Sequence, residues 1–173
     1  MKVLLVNGQV AGMGQQVEET DTVQVGKKIL QGKQTQKVLA FYKPVGVTCT
    51  ERDPHAEKKI MDMIRYPERL TYAGRLDKDS EGLILLTNDG DLINAMMRGA
   101  NRHEKEYIVK TDKEITPDFL EKMAKGIYLK DLDITTRECE VEQIGKFTFR
   151  IVLTQGVNRQ IRRMCEACGY RVK

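Results

Sequence analysis

The chain has 173 residues, 40% of them hydrophobic and 31% charged, with 29 Lys+Arg against 25 Asp+Glu and a formal net charge of +4. That composition excludes a disordered, collagen-like or disulfide-stapled chain, and no apolar run approaches the roughly 20 residues that a membrane helix needs. The mild positive balance neither demands nor forbids a polyanionic partner, so the placement of basic residues has to decide.

The start, MKVLLVNGQV, lacks the apolar core and small-residue cleavage site of a secretory signal, so a cytoplasmic location is expected. VLLVNGQV reads as a strand turning at Asn7-Gly8, a strong hairpin signal. ETDTVQVGKKIL gives a second alternating strand ending near Gly26. Two short strands cannot bury a core alone, so residues 1–32 form a small unit that docks elsewhere, followed by a linker at 33–37 and the main domain at 38–173.

The main domain opens with the strand VLAFYKP. Asp53-Pro54 then predicts a helix start, with Ile60, Met61 and Ile64 as its apolar face and a stop before Pro67. Strands follow at TYAGRL and GLILLT, then a turn at Asn88-Asp89-Gly90 and a short helix capped by Asp91 that ends at Gly99. EKEYIVKT reads as a strand, and Thr116-Pro117 starts a helix running to Gly126. ITTRECEVEQI and KFTFRIVLT are two further strands turning at Gly145-Lys146, and a final helix spans Gln160 to Cys168 with Gly169 behind it. Consecutive strands with short turns predict an α+β fold: a mixed, mainly antiparallel sheet flanked by helices.

Cys165 and Cys168 form a CxxC, but no second Cys/His cluster completes a tetrahedral metal site. Lying at a helix C-terminus rather than the N-terminus that activates thiols, they read as apolar packing residues one turn apart.

The chemistry concentrates in GRLDKDSEGLILLTNDGDL, Gly74 to Leu92. Asp77, Asp79, Glu81 and Gly82 imitate the opening of a calcium loop, but its twelfth position holds Asn88 where a bidentate Glu is required. A glycosidase would pair Asp77 with Glu81, yet nothing apolar flanks Glu81 to keep it protonated, and Trp is absent. Asp79 and Glu81 read as solvated turn residues. Asp77 differs, because Arg75 and Lys78 flank it at a strand end, where opposite charge favours the ionised form.

GRLDKDSEGLILLTNDGDL resembles the signature segment of bacterial ribosomal-RNA pseudouridine synthases (the RsuA family). HEKEYIV resembles the K-x-Y element of that family and LTQGVNRQIRRMCEACGY its basic helix, in the same order and spacing. VLLVNGQVAGMGQQVEETDTVQVG resembles the second half of the small RNA-binding domain named after ribosomal protein S-four. The stretch RGANRHEKEYIV is most similar to a large-subunit branch whose substrates extend to transfer RNA. Relatives carry a helical first half of the small domain and further strands beyond the basic helix, so the expectation is of a piece truncated at both ends.

The resemblance implies a pseudouridine synthase fold and the conversion of a specific uridine of ribosomal RNA to pseudouridine. That isomerisation involves no redox change and no energy input, so neither cofactor nor metal is implied, and the chain is expected to be monomeric. By the same resemblance Asp77 is the essential carboxylate, attacking C1′ or removing a sugar proton. Tyr107 stacks on the flipped base and assists the proton leaving C5, and Arg162 pairs with Asp77. Taken alone, Tyr107 would read as a core strand tyrosine and Arg162 as a surface arginine paired with Glu166.

Ile161, Met164, Cys165 and Cys168 form one apolar stripe of the last helix, leaving Arg159, Arg162 and Arg163 on other faces for RNA. Lys43, Arg75, Arg102, Lys105, Arg159 and Arg163, with Asn158 and Gln160 at the helix start, are the expected RNA contacts that offset the few kcal/mol of base extrusion. A non-catalytic RNA-binding module for ribosome assembly is the alternative.

Overall fold

Asn7 and Gly8 take φ of 52° and 81°, the left-handed pair that a type I′ hairpin requires, and β1 (Leu4–Val6) turns there into β2 (Gln9–Val10). In the computed structural model, which describes residues 3–18, 20–30, 35–50, 53–98 and 102–173, this hairpin belongs to a four-stranded antiparallel sheet. β3 (Val23–Val25) pairs with β1, and β4 (Lys28–Leu30) pairs with β3. The second strand expected to end near Gly26 is therefore a hairpin of its own, because Gly26, at φ 61°, turns the chain back. Residues 33 and 34 of the expected linker lie outside the described residues, but its end is anchored. Asn88 donates to Thr35 O (3.0 Å) and accepts from Lys37 N–H (2.8 Å).

β5 (Val38–Lys43), β6 (Thr71–Ala73) and β7 (Gly82–Thr87) form a second antiparallel sheet with β7 in the centre. Leu39, Phe41, Tyr72, Ile84 and Leu86 share one face by register. They pack on Val47, Cys49, Ile60 and Leu70 as the first core. The helix expected after Asp53-Pro54 does not form, and only a 3-10 turn at Ile60–Met63 appears. Local polar pairings draw this backbone away from a helix. Asp53 N–H donates to Thr50 Oγ1, and Asp53 Oδ1 accepts from His55 N–H. Thr48 then bridges to the 58–60 segment through Thr48 N–H to Lys58 O and Ile60 N–H to Thr48 O. The expected apolar face still enters the core without a helix.

α1 (Gly90–Met97) is capped by Asp89 rather than Asp91, since Asp89 Oδ1 accepts from Asp91 N–H and Leu92 N–H. Its expected end at Gly99 lies outside the described residues. β8 (Lys105–Lys110) leads to α2 (Pro117–Lys125), where Thr116 Oγ1 accepts from Phe119 N–H and proline sits at the first helical turn. A Cβ on Gly126 would lie 2.3 Å from Thr136 O, so only glycine closes this helix so tightly against the next segment.

The strand expected at 134–144 divides. β9 (Tyr128–Leu129) pairs with β10 (Ile134–Thr135), and β11 (Glu140–Gly145) pairs with β12 (Thr148–Leu153). The break comes where Cys139 N–H is drawn to Ala124 O on α2 (2.9 Å). β12 is the centre of the third sheet, with β8 on its other side. α3 (Gln160–Ala167) covers that sheet through Met164 and Cys165, in a second core with Phe119, Met123, Phe149 and Ile151. The fold is α+β; every strand ladder among the described residues is antiparallel. No helix among them is long and apolar enough to cross a membrane.

All the cysteines are unpaired. Burial pushes the Cys165 thiol up to about 12 and Cys139 up to about 11, and it raises Cys168 as well. Only a small thiolate fraction is then present near neutrality. Iodoacetamide at pH 8 is expected to leave Cys165 and Cys139 unmodified in the folded protein and to label both in denaturant. Rapid labelling of the native CxxC would contradict its packing role.

Candidate active site

Asp77 lies in the loop joining β6 to β7, which leaves the sheet at Gly74 (φ 97°) and returns at Gly82 (φ 139°). Ser80 N–H donates to Asp77 O (3.1 Å), closing the turn, and Gly46 N–H donates to Lys78 O (2.8 Å), tying it to the loop after β5. Lys43 supports that second loop from below. Expected as an RNA contact, Lys43 is instead wholly buried, its Nζ donating to Pro44 O (2.9 Å) and Val47 O (2.8 Å). Burial pulls its ammonium below the ordinary lysine value, opposed by nearby Cys49, Asp77, Asp79 and Glu81. Lys43 therefore holds the loop that holds Asp77.

Two arginines reach Asp77 from the start of α3. Arg162 Nε stands 3.9 Å from Asp77 Oδ2 with its side chain only 16% exposed, and Arg162 Nη2 donates to Asp79 O (3.2 Å). Arg159 Nη1 stands 4.0 Å from Asp77 Oδ2 and 3.6 Å from Asp79 Oδ2. Arg159 takes left-handed backbone angles (φ 51°, ψ 33°) at the helix N-cap, with no side-chain cap bond of its own. A non-glycine residue adopts that conformation at a cost of order 1 kcal/mol, and here it turns the chain into α3 beside the acidic loop. The guanidinium contacts to Asp77 are ion pairs beyond hydrogen-bond length, so the carboxylate is balanced in charge without being clamped.

Tyr107 reaches the site from β8, where it lies opposite Ile151 and packs at the margin of the second core. Its phenol is raised above the ordinary tyrosine value, first by burial and then by the negative charge of Asp77. Asp77, Arg162 and Tyr107, from three separate elements, thus share one electrostatic neighbourhood.

Other expected contacts divide. Arg75 and Arg102 are exposed, the latter at φ 49°, and Lys105 Nζ donates to His103 O (3.1 Å). Gln160 is buried, its Oε1 accepting from Val157 N–H (3.1 Å), so it stiffens the entry to α3 rather than facing a ligand. Arg163 pairs with Asp131 and donates to Asn158 O (2.9 Å) and Asn158 Oδ1 (3.3 Å). The expectation that Arg159 and Arg163 stand free is therefore corrected: both are paired with acids of the chain itself, and Asn158 is occupied by Arg163.

Asp79 was missed. Read as a solvated turn acid, it supplies both a carboxylate to Arg159 and a carbonyl to Arg162; its spacing of two residues from Asp77 was the available signal. Glu81 lies close to the Tyr42 hydroxyl and raises that phenol above the ordinary tyrosine value. Among the described residues no group of three or more His, Cys, Asp or Glu is placed to hold a metal.

Residues 37–167 match the family described as RNA pseudouridylate synthase. The chain belongs to the RNA pseudouridylate synthase family. It is 44% identical over 172 residues to the dual-specificity RNA pseudouridine synthase RluF of Escherichia coli (strain K12), covering 98% of this chain and 58% of that protein. Ribosomal large subunit pseudouridine synthase B of Yersinia pestis is 33% identical over 180 residues, covering 96% of this chain and 56% of that protein. The chain thus spans a little over half the length of these relatives. A solved structure of a pseudouridylate synthase superposes with a TM-score of 0.75 at 25% identity, covering 98% of this chain and 74% of that one. The synthase-family match contains all three elements that bring Asp77, Tyr107 and Arg162 together, whereas the four-stranded first sheet lies before it.

Proposed function

We propose that the protein containing this chain converts a specific uridine of ribosomal RNA, in the large subunit, to pseudouridine. The observation that carries the reading is the Asp77–Arg162 ion pair beside Tyr107, set within a chain of this family. Support for the large subunit comes from the name of the Yersinia pestis relative, and the stretch RGANRHEKEYIV, similar to a branch whose substrates extend to transfer RNA, adds transfer RNA as a second substrate class.

In the reaction the uridine N1–C1′ bond breaks, the uracil turns, a C5–C1′ bond forms, the C5 proton leaves to solvent, and the freed N1 takes up a proton. Atoms balance without redox change. The base must first leave its stack, at a cost of a few kcal/mol. Asp77, with its side chain 31% exposed, serves the cleavage by attack at C1′ or removal of a sugar proton. Arg162 orients it, and Tyr107 offers a ring for stacking and a hydroxyl for proton movement. Arg75, Arg102 and Lys105 meet phosphates at the rim, Arg159 stands at the mouth, and the sheet of residues 1–32 is an added RNA grip. The work is done in the cytoplasm.

The direct test is tritium release from ribosomal RNA transcribed with uridine labelled at C5, using the complete polypeptide. Release is expected; none from any cellular RNA would leave the assembly-module reading in its place. Glu81→Gln is expected to keep release within about threefold, since the arginines of the site meet Asp77 and Asp79, whereas Glu81 acts on the Tyr42 hydroxyl. Loss of all activity in that variant would favour a carboxylate pair of the glycosidase kind.

A further inference from the structure

The site holds a second acid that the chemistry above does not use. One carboxylate between two guanidiniums would ordinarily be drawn into short charge-assisted bonds of about 2.8 Å, yet both contacts to Asp77 stand off at 3.9 and 4.0 Å. Asp79 explains the stand-off on each side. Its carbonyl takes Arg162 Nη2 at 3.2 Å, and its carboxylate lies closer to Arg159, at 3.6 Å, than Asp77 does. Two acids and two arginines then sum to zero, and neither arginine is committed to Asp77 alone.

We infer that Asp79 is a positioning residue whose carboxylate holds Arg159 off Asp77, keeping the reacting oxygen available to the nucleotide. The inference rests on the synthase reading. The backbone at the head of α3 sets Arg159 beside the acidic loop, with Asp77 and Asp79 both within 4.0 Å of its guanidinium. Without the Asp79 charge its nearest remaining anion is Asp77, and a carboxylate taken up in a two-point guanidinium pair is a poorer nucleophile and base. Asp79 is 58% exposed, so solvent screens part of this interaction and the expected effect is moderate.

Asp79→Asn in the complete polypeptide should lower kcat for tritium release about tenfold with KM for the ribosomal RNA transcript within twofold. Asp79→Glu, which keeps the carboxylate, should stay within threefold of the original kcat. In an Arg159→Gln background the Asp79→Asn change should alter kcat by less than twofold, because there is no arginine left to restrain. An equal loss in both backgrounds, or equal damage from Asp79→Glu and Asp79→Asn, would overturn the inference and make Asp79 a plain loop residue. A crystal structure of Asp79→Asn gives an answer independent of turnover. Arg159 should move to hydrogen-bond contact with Asp77, and an Arg159 still near 4 Å or turned to solvent would overturn it as well. The synthase reading fails separately, if the unmodified protein releases no tritium.

Discussion

Asp77→Asn is expected to abolish tritium release, lowering turnover by at least about a thousandfold while RNA affinity stays within about threefold. The substitution keeps the shape of the side chain and the turn closed by Ser80 N–H on Asp77 O, so loss of folding is not the cause. It removes the charge that two guanidiniums face at 3.9 and 4.0 Å. An amide neither adds at C1′ nor accepts a sugar proton at useful rates, and a thousandfold loss corresponds to about 4 kcal/mol of transition-state stabilisation. Affinity moves the other way: one fewer negative charge beside the path of a phosphate weakens nothing and gives equal or slightly tighter binding. Arg159 and Arg162 retain Asp79 as partner. Turnover above about one per cent of the original would show that Asp77 is not the essential carboxylate. Loss of binding together with turnover would show that it shapes the RNA surface instead.

Strands and turns were legible where one local rule dominates. Asn7-Gly8 has a single favoured turn, Thr116-Pro117 a single favoured helix start, and GLILLT is a short apolar run bounded by Gly82 and the turn after Thr87. The readings failed where two local solutions compete. Asp53-Pro54 is as good an Asx turn as a helix start, and the Thr48–Lys59 bridge, a contact made across a loop, chose the former. ITTRECEVEQI reads as one strand, yet the chain breaks where Cys139 N–H is drawn to Ala124 O. Neither tertiary partner announces itself in the segment that it reshapes.

The same limit divides the site. The family resemblance supplied Asp77, Tyr107 and Arg162, and the chain brings them into one neighbourhood. Basic residues named for RNA fared unevenly, because a positive charge in a sequence says nothing of which anion it meets. Arg159 meets Asp77 and Asp79, Arg163 meets Asp131, and Lys43 meets no carboxylate directly but two carbonyls. A lysine ending a strand before Pro44 looks like rim charge; only the inward pleat at that position makes it a buried strut.

Lys43→Met separates those two roles. Methionine fills nearly the same volume but donates nothing, leaving Pro44 O and Val47 O without the bonds they receive at 2.9 and 2.8 Å. Bonds from a charged donor contribute about 1.5–3 kcal/mol each, offset by relief from burying an ammonium, so a net loss of roughly 2–4 kcal/mol is expected. That lowers Tm by roughly 5–15 °C for a chain of this size. The sign with pH follows from the depressed lysine: just below its ordinary value of 10.5 the unfolded chain holds more protons than the folded one. Stability contributed by Lys43 therefore rises with pH through that interval, and the methionine variant lacks the rise. Turnover falls too, because Gly46 N–H on Lys78 O carries the slackened loop to Asp77, where a misplacement near 1 Å costs about a hundredfold. Were Lys43 a phosphate contact, the opposite pattern would appear: Tm unchanged, kcat kept, and RNA binding weakened with a flatter dependence on salt.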